Sequence, residues 1–429
     1  MAASILAEAR VEGLLEGFRV LDLADEKGQL CGKILGDLGA EVLKIERPGG
    51  DASRRRGPFH HDHEDPEKGL FWLANNTSKK GITLNLETAR GLELLRHLVR
   101  SADFVIESFK PGYLEGLGLG YRDLELIKPE IILTSITPFG QSGPYATHEA
   151  TDLTASAMGG LVRILGEQGH PPVRMSCDPQ AYCQAGVHGA VGSMVAHYHR
   201  ELSTQGQHVD VSMQQAVVLS TMSSAETYDL MGVNVSGTGQ AYIIPRPEPL
   251  GPVFLRFIYA CKDGFVVCYF VGGFGAGVKS SRALADWANE EGMALEFKEF
   301  DFGQWNVFGM SQQEVERYFD IIGEFLMTKT KEELYEGAVK RGIMLAPCAT
   351  TEDIYRNRHL EARGFWQAIE HPELGDTLRY PGAPVRPSEA SWRIRCRAPR
   401  IGEHNEEVYR GELGLSEREM VALQADGII

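Results

Sequence analysis

The sequence predicts an α/β fold: a large Rossmann-like domain on a parallel sheet, with a smaller α+β domain inserted in it. Two observations carry this. Over the first third of the chain, short continuously apolar runs alternate with stretches of helical period. Strands of that kind are buried on both faces and belong to βαβ units. A Gly- and Pro-rich irregular stretch then interrupts the pattern at 223–260, and a second unit of strand followed by helices begins after it.

In chain order, FRVLDLA (18–24) reads as a strand, QLCGKILGDLGA (29–40) as a helix and EVLKIERP (41–48) as a strand. RGLELLRHLVRSA (90–102) is helical, while DFVIESF (103–109) and EIILTSITPFG (130–140) are strands. Residues 151–222 follow a helical pattern, and the small residues of AGVHGAVGSMVAHYHR (185–200) predict close helix packing. The second unit opens with a strand at GFVVCYFVG (264–272) and continues in helices to 340. PCATTEDIYRNRHL (347–360) begins a last stretch that ends in the helical tail SEREMVALQADGII. The resulting division is a large α/β domain at 1–222, a small α+β domain with its linker at 223–345, and a segment at 346–429 that returns to the large domain.

The 429 residues include 43 Lys plus Arg and 59 Asp plus Glu, a formal charge of −16. Such a surface repels phosphate backbones and anionic lipid, which argues against nucleic-acid and membrane partners. No apolar run approaches the roughly 20 residues that span a bilayer, and MAASILAEARVEGLLEGFRV lacks the basic and apolar regions of a signal peptide. A cytoplasmic protein is expected. The seven cysteines include no CxxC pair, which predicts reduced thiols rather than a disulfide framework or zinc site.

Ligands on parallel sheets sit beyond the carboxyl ends of the strands, here Asp22 to Gly28, Arg47 to Asp51, Ser108 to Gly112 and Thr137 to Gly143. No GxGxxG or P-loop follows the first strand, so a dinucleotide site is not expected. VGGFGAG (271–277) reads as backbone punctuation, and HHDH (60–63) as part of a solvated charged loop rather than a metal site. Arg47 with Arg54, Arg55 and Arg56 forms the best local basic cluster for a phosphate-rich ligand in an acidic protein.

The segments GFRVLDLADEKGQLCGKILGDLGAEVLKIERPGGD, NTSKKGITLNLETARG, ADFVIESFKPGYLEGLGLGY and SITPFGQSGPY resemble the family III CoA-transferases of the CaiB/BaiF type. The match continues through DLTASAMGGLVRILGEQGHPPVR, STQGQHVDVSMQQAV, RGIMLAPCATTEDI and PRIGEHNEEV, and so runs the length of the chain. The resemblance implies two interlocked chains, CoA as a substrate bound at the large domain's sheet, an active site between large and small domains, and no metal. It also implies covalent catalysis. An Asp attacks an acyl-CoA to give an acyl anhydride, an enzyme–CoA thioester follows, and CoA passes to an acceptor acid.

In the family that Asp stands four residues before a Gly. Here the Gly is Gly186 and the residue four before it is Tyr182. A phenol with an ordinary pKa of about 10 is a poor nucleophile and leaving group for anhydride chemistry. Asp178, one turn earlier, is the nearby carboxylate, and its place before Pro179 suggests a helix cap. By the same resemblance Arg47 matches the arginine that meets the CoA nucleotide, Leu84 an adenine-side position and Phe109 a pantetheine-side one. Ser108 replaces the family's Asn. Glu87 stands where relatives have a CoA-contacting Lys, Gly116 where they have an Arg, and Gly237 and Gly239 match the glycine loop that covers the intermediate.

The PQAY variant and LADEKG opening are similar to E-type, non-catalytic subunits of heteromeric benzylsuccinate CoA-transferases of anaerobic toluene degradation. The implied partner is a paralogous subunit that carries the Asp, with succinyl-CoA as donor and an aryl- or alkyl-succinate as acceptor. Two alternatives stand beside this reading. One is a homodimeric transferase, racemase or isomerase using other residues, with His148 and His188 as candidate bases. The other is a regulatory protein that binds acyl-CoA without turnover.

Overall fold

The structure, a computed structural model, describes residues 13–167, 169–244, 251–273 and 275–429. The start of the amino-terminal stretch and Phe274 of the VGGFGAG run lie outside the described residues. The chain groups into two compact units. One takes the segments ending at Val162, Arg174–Gly232 and His359–Ile429, and the other Arg163–Val173 and Val233–Arg358.

The first unit is built on six parallel strands: β1 (Arg19–Asp22), β2 (Glu41–Glu46), β3 (Lys79–Thr83), β4 (Phe104–Glu107), β5 (Ile132–Thr137) and β6 (Gln207–Ser212). Their order is β3-β2-β1-β4-β5-β6. The order reverses between β1 and β4, and a crevice opens at such a switch point. The helices are α1 (Gln29–Asp37), α2 (Leu70–Asn75), α3 (Ala89–Val99), α4 (Tyr113–Gly116), α5 (Tyr121–Ile127), α6 (Asp152–Met158), α7 (Gln180–Ser203), α8 (Met213–Leu219) and α9 (Met222–Met231). On one face of the sheet Leu21, Leu43, Val105 and Leu133 join Leu94, Leu95 and Leu98 of α3 in a single core.

The other face is covered by α1 and α7, and glycine decides how closely. A Cβ on Gly32 would lie 2.3 Å from the Asp22 carboxylate, and one on Gly36 would lie 2.7 Å from the Ser78 carbonyl. A Cβ on Gly186 would meet Leu30 at 2.9 Å, and one on Gly189 would meet Ile136 at 2.8 Å. The small residues of α7 therefore find their close neighbours in α1 and β5 of the same chain. The outer side of α7 keeps a stripe of Val187, Val191, Val195, Tyr198 and Leu202, all exposed.

Two strands of this sheet depart from the sequence reading. β6 interrupts the stretch read as helical, because QHVDVS mixes polar residues into a strand whose early residues are only half-buried. β3 (KKGIT) opens with two lysines and carries no apolar run to announce it, yet Lys79 is buried.

In the second unit β7 (Ala241–Ile244) and β8 (Val253–Arg256) pair antiparallel, and β9 (Ile258–Cys261), β10 (Gly264–Cys268) and β11 (Leu345–Pro347) form a three-stranded sheet. Helices α10 (Ala276–Glu290), α11 (Gln312–Met327), α12 (Lys331–Arg341) and α13 (Thr351–Tyr355) accompany them. Phe270, Phe297, Phe302, Trp305 and Phe319 fill its core. The stretch 223–260, read as irregular, contains most of α9 and the strands β7, β8 and the start of β9, all too short to stand out among its Gly and Pro residues. After α14 (Arg358–Ala362) come the hairpin β12 (Trp366–His371) and β13 (Asp376–Pro381), then a π-helical turn at Glu406–Glu412 and α15 (Glu417–Ala425). No helix among the described residues is long and apolar enough to cross a membrane.

Two buried charges shape the sheet's carboxyl edge. Asp22 is fully buried, with Lys79 Nζ 2.7 Å and Lys44 Nζ 3.7 Å from its carboxylate. Burial lowers the Lys79 ammonium to about 8, with Asp22 opposing that shift. At the end of β4, burial pushes Glu107 up to about 7, against the stabilising hydroxyl of Ser135 and the Phe109 N–H, which donates to it at 2.6 Å.

Removing one member of a buried pair leaves an uncompensated charge, at a cost of roughly 3–5 kcal/mol. Lys79→Met is expected to lose about 3 kcal/mol in urea denaturation, since Lys44 remains. A loss below about 1 kcal/mol would show that Lys44 alone neutralises Asp22. Glu107 gives a pH signature. Between its ordinary 4.5 and about 7 the folded chain holds a proton that the unfolded chain has released. Stability therefore falls as pH rises through that window, by on the order of 2–3 kcal/mol, and levels off above it. In Glu107→Gln that fall should vanish.

Candidate functional site

At the carboxyl ends of β1, β2 and β4 lies a cleft of about 520 Å³ lined in part by Asp25, Arg47, Leu84, Glu87, Phe109 and Tyr113. Three of the four residues expected to meet CoA, Arg47, Leu84 and Phe109, thus share one wall system. Leu84 is buried, and the Phe109 and Tyr113 rings pack with centroids 4.7 Å apart. Burial raises the Tyr113 phenol, Glu87 adds to the shift and Arg47 opposes it, so both charges bear on one ring. Ser108 sits behind the lining. Its hydroxyl donates to Asp25 Oδ1 at 2.7 Å and accepts the Asp25 N–H at 2.9 Å, which ties the β1–α1 loop to β4.

The sequence reading missed several parts of this wall. Asp25 projects from LADEKG and is paired with Lys27. The carboxyl tail also contributes, because Asn85 N–H donates to the Ile428 carbonyl at 2.7 Å and Gly427 lines the cleft. A tail 340 residues away in sequence leaves no local signal of such a contact. Gly116, the other expected departure from the family's cations, ends α4 outside this lining, with open space around the position of a Cβ.

The arginine run does something other than expected. Arg54 is 1% exposed and forms a bidentate pair with Glu46 at 2.6 and 2.8 Å. It also meets Glu67 and the Pro399 carbonyl, and its guanidinium stacks 3.8 Å over Trp72. Arg56 pairs with Glu26 at 3.0 Å and lies over Phe71. These two cations are consumed by the fold, because an arginine fork satisfies carboxylates and an aromatic face together. Arg47 is the member of the expected cluster that lines the cleft.

Tyr182 lies in the first turn of α7 and is 6% exposed. Burial raises its phenol well above the ordinary range, and the charges of Glu26, Asp25 and Asp152 push the same way. Its proton is held. Asp178 does not cap the helix: its own N–H donates to Ser176, and its side chain is exposed. The capping carboxylate is Asp152, the first residue of α6, which accepts the Ala181 N–H at 2.8 Å. The candidate bases have local contacts. His188 Nδ1 bonds the Gln184 carbonyl at 2.8 Å along α7, and the His148 ring packs on Tyr145.

Gly237 and Gly239 form a small zipper within the second unit, their N–H groups donating to the carbonyls of Arg163 at 3.2 Å and Gly166 at 2.7 Å. Gly273 and Gly275 have φ of +99° and +82° ahead of α10, consistent with backbone punctuation. All seven cysteines are free thiols.

Comparison with known proteins gives one answer. Subunit BbsE of succinyl-CoA:(R)-benzylsuccinate CoA-transferase from Thauera aromatica is 33% identical over 393 residues, 91% of this chain and 92% of that protein. The succinyl-CoA–D-citramalate CoA-transferase of Chloroflexus aurantiacus is 31% identical over 417 residues, 97% of this chain and 98% of that one. A CaiB/BaiF family protein from Brucella suis superposes with a TM-score of 0.78 at 26% identity, over 93% of this chain and 99% of that structure. The sequence profile of CoA-transferase family III spans residues 15–405, and the chain belongs to that family.

Proposed function

We propose that this chain is the non-catalytic subunit of a heteromeric family III CoA-transferase, paired with a paralogous chain that supplies the nucleophilic Asp. The carrying observation is Tyr182, a buried phenol held protonated at the position the family gives to its Asp. In this reading the partner's Asp attacks succinyl-CoA and the CoA is passed to an aryl- or alkyl-succinate. The donor and the subunit role follow the relatives' names. The unit that takes the segments ending at Val162, Arg174–Gly232 and His359–Ile429 supplies the cleft and interface, and the unit of Arg163–Val173 and Val233–Arg358 is the small domain.

Two features support the partnership. The stripe from Val187 to Leu202 leaves large apolar side chains uncovered on a 24-residue helix, as an obligate interface requires. The cleft keeps Arg47 but places Asp25 and Glu87 beside it, which opposes a ligand with several phosphate charges. CoA binding through Arg47, Leu84 and Phe109, with Ser108 behind them, is accordingly weak here and stronger on the partner.

The chain alone should give no covalent acyl or CoA adduct when mixed with succinyl-CoA, as read by intact-protein mass spectrometry. Co-expression with an Asp-bearing paralogue should restore transfer. An adduct on Asp178, Tyr182 or any other residue of the isolated chain would sink the proposal.

CoA affinity provides a separate check. A hydrogen bond to a charged group is worth about 1.5–3 kcal/mol, or roughly ten- to a hundredfold in Kd. By calorimetry, Glu87→Lys with Gly116→Arg should tighten CoA binding by at least about tenfold. Open space at Gly116 accommodates the new side chain. Low-micromolar binding by the unaltered chain, with no gain in the double variant, would contradict this reading.

A further inference from the structure

The loop between Pro58 and Gly69 is closed on itself and brings imidazoles to the β12–β13 hairpin. Phe59 and Gly69 bridge antiparallel, and the N–H of His60 donates to the Lys68 carbonyl at 2.9 Å. Inside it His61 and Asp62 adopt φ of +53° and +56°. Side chains rarely occupy that region, so the surroundings must enforce it. The turn sets the His61 ring against that of His60, with centroids 4.0 Å apart.

Across from them stands Asp376, the first residue of β13. Its Oδ2 lies 3.1 Å from His60 Nε2, and its Oδ1 accepts the Thr377 N–H at 2.7 Å. The His60 side chain is only 10% exposed although it comes from a charged loop. One ligand atom from each of His60, His61 and Asp376 falls within 4.8 Å of the other two.

We propose that His60, His61 and Asp376 form a zinc site. Two imidazole nitrogens and one carboxylate oxygen are a borderline donor set that suits Zn²⁺ and ill suits Mg²⁺ or Ca²⁺. Water completes the four-coordinate shell. The Thr377 N–H holds the carboxylate from behind, the kind of outer contact that orients a ligand. On binding, the metal takes the place of the hydrogen bond between His60 and Asp376, and the neutral imidazole keeps its one proton on the ring nitrogen that does not ligate. The ion clips two segments 316 residues apart, so it binds the folded chain and stabilises it.

The test uses the full chain stripped with chelator and titrated with Zn²⁺ by calorimetry, and with Co²⁺ by visible absorption. Saturable one-to-one binding at micromolar Kd is expected, with a tetrahedral Co²⁺ spectrum and a rise in Tm. His61→Ala and Asp376→Asn alter exposed or part-exposed side chains, so the fold survives. Each should weaken Zn²⁺ by roughly tenfold or more, no less than the loss of an outer-shell partner does. Each should also abolish the Tm rise. Absence of saturation at millimolar Zn²⁺, or unchanged affinity in both variants, overturns the site.

Discussion

A carboxylate with no exposed surface sits at the carboxyl end of β1, and its neutralisation organises everything around it. Asp22 needs Lys79, which reaches across from β3, and Lys79 in turn gives its remaining protons to the Gln29 carbonyl and Asn76 Oδ1, at 2.7 and 2.8 Å. One charge thereby fixes the start of α1, the end of α2 and the edge strand. Gly32 follows from the same requirement, because any Cβ there would collide with the carboxylate. The loop that leaves β1 is pinned at its root, since Ala24 N–H donates to Asp22 Oδ1 at 3.0 Å. That loop carries Asp25 into the cleft and Glu26 toward Tyr182.

The electrostatics of the cleft are set by which charges the fold has already used. Arg54, in sequence the most inviting cation after Arg47, clasps Glu46, Glu67 and the Pro399 carbonyl, and so joins β2 to the carboxyl-terminal segment. Its guanidinium is worth more there, buried and fully bonded, than it would be to a ligand in water. Arg47 lines the same cleft as Glu87 and Asp25. In a chain of formal charge −16, a polyanion meets long-range repulsion that local cations have to offset.

The sheet was legible where strands were apolar on both faces: β1, β2, β4 and β5 all appear as uninterrupted runs. β3 and β6 were not, because their residues answer to partners rather than to period. Lys79 is in a strand on account of Asp22, and His208 on β6 bonds Ser135 at 2.8 Å while stacking on Tyr121. The family resemblance assigned Arg47, Leu84 and Phe109 to CoA contact, and all three line one cleft. Composition misjudged the arginine run, because adjacency in sequence does not say which guanidinium turns inward. The cap of α7 was misassigned for a related reason: Asp178 was near in sequence, whereas Asp152 was near in space.

The absence of an Asp at position 182 fits the acidic loop beside it. Tyr182 already feels Glu26 and Asp25 as charges opposing its ionisation. A carboxylate in its place would join Glu26, Asp25 and Asp152, and both burial and like charge would raise its pKa. An acyl nucleophile that holds its proton more tightly is poorer at attacking a thioester. A phenol that keeps its proton avoids the conflict and fills the space against α6 and the loop.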